Sequence, residues 1–138
     1  GMQERGRTGA VRRAAVAAEA ELQAWLQSAR KGGSTLYEVD STGDGVANSS
    51  DVSNSTLASL LTQASGVCQT YINARWNINN EYSPWDPTAT KLWTTAASGN
   101  ATTNGRISCN HPINASQIML DARNKEGDLL YRKYISAD

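Results

Sequence analysis

The 138-residue chain has no phenylalanine, a single histidine (His111), two cysteines (Cys68 and Cys109) and three prolines. Each scarcity excludes something. One histidine and two distant cysteines leave no Cys-x-x-Cys or His-x-x-His spacing of the kind that builds a zinc site. Acid–base or nucleophilic catalysis through a histidine rests on His111 alone, which precedes Pro112 in an expected loop and reads as a surface residue. No Gly-rich phosphate loop or dinucleotide fingerprint is present. Thirteen basic and thirteen acidic side chains give a formal charge of zero, which offers no general attraction to nucleic acid. No apolar run reaches the length that spans a bilayer. One remaining carboxylate pair, Glu81 and Asp86 flanked by Tyr82 and Trp85, has no fixed separation, and the expectation is a protein that is not an enzyme.

What is abundant is oxygen. The twelve residues Asp40 to Asp51 place oxygen-bearing side chains at loop positions one, three, five, nine and twelve: Asp40, Thr42, Asp44, Asn48 and Asp51. Gly45 stands at position six, where such a loop turns sharply, and the Val46 carbonyl serves position seven. A hard cation needs six or more oxygens at about 2.3–2.6 Å, and this spacing supplies them from one segment. The set predicts a Ca2+ site. The plain alternative is a solvated Asp-Gly turn in a polar linker. Closure by Asp51 instead of the longer Glu resembles the dockerin form of the loop, although no second repeat follows.

Cys68 and Cys109 are 41 positions apart in a chain rich in Asn, Ser and Thr. An even pair in such a composition fits one disulfide in an oxidising compartment; two buried free thiols are the other reading. Gly1 before Met2 resembles the scar of a cleaved tag, so the natural chain is expected to begin further upstream.

The pattern of apolar residues divides the chain. From about Glu4 to Arg30, Val11, Ala15, Ala18, Leu22, Trp25 and Ala29 recur at spacings of four and three, with Arg12, Glu19, Gln23 and Gln27 opposite. Abundant alanine and the absence of proline favour one long helix over 1–31, ended by Gly32-Gly33. After the Asp40–Asp51 loop, Leu57, Leu60, Leu61 and Ala64 share a helical face, and periodicity resumes after Gly66 through Val67, Tyr71 and Ile72. This predicts one helix interrupted at Gly66 or two in sequence. Residues 77–104 are irregular, with Tyr82, Trp85 and Trp93 among Pro, Asn, Ser and Thr. Flat rings of this kind stack on sugar faces, or simply cover the core.

Alternation then marks strands: Ile107 and Cys109; Ile118, Leu120 and Ala122; Leu129, Tyr131 and Ile135, with Asn124–Asp128 as a turn. The expectation is one domain over 1–138 of the α+β class. Its long N-terminal helix packs on an antiparallel sheet of about three strands over 105–135.

A long N-terminal helix, a connecting loop, a C-terminal antiparallel sheet and one disulfide resemble the soluble part of a type IV pilin or pseudopilin. Glu4-Arg5-Gly6-Arg7 through Glu19-Ala20-Glu21-Leu22 resembles the polar second half of that family's helix, and Ile118–Tyr134 its closing hairpin. The resemblance implies a non-enzymatic structural subunit of a type IV pilus or secretion pseudopilus. It implies an inner-membrane anchor supplied by an upstream apolar segment, location in the periplasm and then at the cell surface, and partners that are copies of itself or related pilins. Val11, Ala15, Ala18 and Leu22 would lie along the join between filament core and own domain, and Arg12 and Arg13 would pair with Glu19 or Glu21 of neighbours. Nucleic acid is not an expected partner. The rival expectation is a secreted, calcium-stabilised carbohydrate-binding or adhesion module that uses Tyr82, Trp85 and Trp93.

Overall fold

A computed structural model describes residues 1–31 and 35–138, and it has the α+β architecture expected. The predicted helix stop at Gly32-Gly33 lies outside the described residues. Helix α1 runs from Met2 to Arg30. Every member of its predicted stripe (Val11, Ala15, Ala18, Leu22, Trp25 and Ala29) is buried. The second helical region is two helices, α2 (Asn54–Leu61) and α3 (Gly66–Asn79). Ser53 caps α2, its hydroxyl accepting the Thr56 N–H at 3.2 Å. Before α3 the chain turns through Ser65 in the left-handed conformation, so the interruption at Gly66 is a helix start. A Cβ at Gly66 would stand 2.3 Å from the Leu60 carbonyl oxygen, which reserves the position for glycine.

The sheet contains four strands in the order β1 (Trp93–Thr94), β2 (Ile107–Asn110), β3 (Gln117–Arg123) and β4 (Leu129–Ser136). Strands β2, β3 and β4 form the expected antiparallel meander. To the expected antiparallel sheet of about three strands the structure adds β1, which pairs in parallel with β2, Trp93 opposite Ile107 and Thr94 opposite Ser108, so the sheet is mixed. Two residues carry no readable alternation. The pairing is stabilised from a distance instead: the Arg106 guanidinium donates to the carbonyls of Trp93, Lys91 and Thr102.

The core lies between α1 and the sheet. The α1 stripe packs on β3 and β4 and α3 packs on β2, and Ile118, Leu120, Ala122, Ile135, Ile107, Cys109, Val67 and Tyr71 share one buried cluster with that stripe. Each fully buried Leu or Ile contributes about 1.5–3 kcal/mol of transfer free energy. Edge-to-face contacts at 5.4 and 5.8 Å join Trp25 of α1, Tyr71 of α3 and Trp93 of β1 in series. Polar links fix α1 to β4 and the residues after it: Tyr131 donates to Glu19, and Gln23 and Gln27 donate to the carbonyls of Asp138 and Ala137. The Tyr131 hydroxyl is pushed up to about 12 by the Glu19 hydrogen bond, with burial adding to it.

Cys68 and Cys109 form the disulfide, joining α3 to β2 with Cα atoms 5.5 Å apart. Two residues further on, the structure corrects the reading of His111 as a surface side chain: it is 4% exposed. Its Nε2 accepts the Val67 N–H at 3.1 Å and its Nδ1 faces the Pro112 carbonyl at 2.8 Å. This describes a neutral ring protonated at Nδ1 that satisfies one of the free donors of the α3 N-terminus.

Candidate metal centre

The Asp40–Asp51 loop sits between the end of α1 and the start of α2. Local hydrogen bonds shape it around its acids. One oxygen of Asp40 accepts the N–H groups of Gly43 and Asp44 at 2.9 and 3.2 Å, and the other accepts that of Gly45 at 2.8 Å. Asp44 accepts the Val46 N–H, and Asn48 accepts that of Ser50. Gly43 and Gly45 have φ of +78° and +90°, the left-handed conformation that lets the chain wrap a carboxylate this tightly.

Asp51 closes the loop. It is 8% exposed, and its oxygens accept the N–H groups of Thr42 at 3.0 Å and Asn48 at 2.8 Å. Burial pushes the Asp51 carboxyl up, but the hydrogen bonds from Asn48 and Thr42 outweigh it and hold the group below its ordinary range. The Thr42 hydroxyl lies between the acids, 3.0 Å from Asp51 and 3.4 Å from Asp40.

Carboxylate oxygens of Asp40, Asp44 and Asp51 all lie within 4.8 Å of one another. Among the described residues no Lys or Arg forms an ion pair with any of the three. Like charges at this separation repel by about 1–4 kcal/mol per pair, depending on solvent access. A cluster of hard oxygen donors with uncompensated negative charge could hold a metal ion, and the donor set suits a hard cation over a soft one. Thr42, Val46 and Asn48 belong to the same loop and offer a hydroxyl, a carbonyl and an amide oxygen.

The loop is docked, not dangling. Asn77 of α3 donates to the Thr42 carbonyl at 3.0 Å, and Gly43 lies against Ala74 and Asn77. At the entrance Glu38 accepts hydrogen bonds from Ser28, Lys31 and Asn54, joining the end of α1 to the start of α2. The Lys31 and Asn54 bonds hold the Glu38 carboxyl below its ordinary value. Glu38, Gly43 and Asn77 were not readable as site residues, because their roles depend on contacts from other segments.

The aromatic set is placed differently from a flat patch. Trp93 is buried beneath Tyr71. The Trp85 indole donates to Glu4 at the start of α1, and Tyr82 packs edge-on against Trp76. Among the described residues no ring contact joins Tyr82, Trp85 and Trp93.

Compared with known protein families, characterised proteins and solved structures, the chain matches none. A long N-terminal helix packed on a small mixed sheet, with one disulfide, is loosely compatible with a pilin-like α+β fold.

Proposed function

We propose that the chain is a structural subunit of a surface filament of the type IV pilus or secretion-pseudopilus kind, and that Ca2+ bound by Asp40, Thr42, Asp44, Val46, Asn48 and Asp51 orders the connection from helix to sheet. The observation that carries this reading is the outer face of α1. Its inner face is consumed by its own domain, Val11, Ala15, Ala18 and Leu22 each being 1% exposed or less. These four therefore cannot also face neighbours. The exposed face instead presents Gly6, Ala10, Ala17, Ala20 and Ala24, with Arg13 between Ala10 and Ala17. Small side chains along one face let a second helix approach closely.

The acids first expected to pair with neighbouring subunits are engaged within the chain: Glu19 with Tyr131 and Lys133, Glu21 with Tyr71 and Arg75. Arg13, whose side chain is exposed and forms no hydrogen bond or ion pair among the described residues, remains for contacts between subunits. No described helix is long and apolar enough to cross a membrane, so the reading requires an apolar segment upstream of Met2 to anchor the subunit before assembly. Periplasmic and then surface location follows from the same reading. No catalytic role is assigned.

The test replaces Ala17, on the outer face of α1, with Trp in cells that carry the gene. Sheared surface filaments should contain the wild-type chain and lack the variant, while both accumulate to equal levels in the cell. Filaments that incorporate the Trp variant normally, or surface fractions without the wild-type chain, would contradict the reading.

A further inference from the structure

Between α3 and the free edge of β1 lies an open cavity of about 250 Å³, lined among others by Asn73, Trp76, Glu81, Lys91, Trp93 and Arg106. Its charges do not balance. The Lys91 ammonium rests on the Trp76 ring, 4.2 Å from the centroid, and forms no ion pair among the described residues. Arg106 donates only to backbone carbonyls, through three of its five N–H groups, which leaves two donors and its charge unmatched. Burial pulls the Arg106 guanidinium below its ordinary value, as expected for a cation with no acid beside it.

The one carboxylate in the wall, Glu81, is already held by Arg75 at 2.8 Å and by the Trp93 indole at 3.3 Å. With Glu81 paired to Arg75 behind the wall, Lys91 and Arg106 leave a surplus of positive charge at the cavity. Around these charges stand two indoles, the amides of Gln69 and Asn73, and the residues Thr94 and Thr95. The combination is two indole rings, neutral hydrogen-bonding groups and two cations without acids. The volume is below that of a drug-sized site and suits a single small ring.

We infer that this cavity binds an acidic monosaccharide unit of the uronate type, its carboxylate meeting Lys91 and Arg106, its hydroxyls the amides, and its ring the edge of the indole wall. The inference rests on the cavity and is independent of the filament reading. It also differs in position from the expected patch, since Trp76 replaces Tyr82 and Trp85.

The experiment titrates the folded chain with glucuronate, glucose and acetate, following the Trp76 indole by NMR. Glucuronate should give saturable shifts centred on Trp76 and Asn73, and glucose and acetate should bind at least about tenfold more weakly, as expected when a charged contact or the ring contact is lost. Lys91 and Asn73 are exposed, so Lys91→Gln and Asn73→Ala keep the fold. Each should weaken glucuronate, Lys91→Gln by about tenfold or more. No saturable glucuronate shift, equal response to acetate or glucose, or unchanged affinity in Lys91→Gln would each overturn the inference.

Discussion

The carboxylate of Asp51 accepts the backbone N–H of Thr42 at 3.0 Å, so the last position of the acidic loop is bonded to its third. That closure draws Asp40, Asp44 and Asp51 together, and it does so with backbone donors instead of basic side chains. The loop geometry is thus held while the negative charge stays uncompensated. The other face of the loop rests on α3.

Docking on α3 depends on Gly43. A Cβ there would stand 2.8 Å from the Ala74 carbonyl oxygen and 2.9 Å from Asn77 Cβ, whereas one at Gly45 would meet nothing within 4 Å. Both glycines have positive φ, so alanine at either costs about 1–2 kcal/mol in backbone strain. Gly43→Ala should exceed Gly45→Ala by roughly a further 1–3 kcal/mol in urea unfolding, the cost of overpacking. Equal costs would mean that the loop does not press on α3.

The sheet has its own electrostatic anchor. Asp121 is fully buried and forms ion pairs with Arg123 and Arg132, each at 2.7 Å. Burial pushes the Asp121 carboxyl up, but bonds from Arg123 and Arg132 outweigh it and hold it below its ordinary value of 3.8. A lowered folded value means stability that is fully present above the unfolded value and is lost as pH falls through the folded one. Unfolding free energy should therefore decline below about pH 4. Asp121→Asn should flatten that decline without abolishing it, because Asp51 is lowered too. At neutral pH the variant should lose at most about 3 kcal/mol, since Arg132 reaches solvent. An unaltered acid profile in Asp121→Asn would contradict the assignment.

Much of this was legible in advance, and the division has a physical cause. The α1 stripe and the burial of Ile118, Leu120 and Ala122 along β3 are local patterns, set by residues three, four or two positions apart. The convergence of Asp40, Asp44 and Asp51 was readable for the same reason: their spacing lies within twelve residues. Strand β1, the buried His111 and the docking of Gly43 were not. Each is decided by a partner elsewhere in the chain: Arg106 for β1, Val67 for His111, Ala74 and Asn77 for Gly43. A lone histidine before proline carries no periodic signal of burial.

The junction of α3 and β2 should behave as one unit. Reducing Cys68–Cys109 removes a closed loop of 41 residues' separation, which costs about 3–4 kcal/mol in the chain-entropy account. His111→Ala leaves the Val67 N–H without its acceptor, at about 1–3 kcal/mol. Because Cys68 adjoins Val67, the two losses should sum to less when combined than when measured apart. Strict additivity in a double-mutant cycle with Cys68→Ala/Cys109→Ala would show the two contacts to be independent.

Cation binding by the acidic loop is the centre of the account, and the most direct measurement is the melting temperature of the wild-type chain and of Asp51→Asn in calcium and in chelator. Calcium at about one hundred times its dissociation constant should stabilise the wild type by about 2.7 kcal/mol. That corresponds to a rise of roughly 8–12 °C for a domain of this size. Asp51→Asn should melt at the same temperature in both conditions, because it loses one of the three carboxylates that converge within 4.8 Å. A wild-type melt that is identical in excess calcium and in excess chelator would contradict the account.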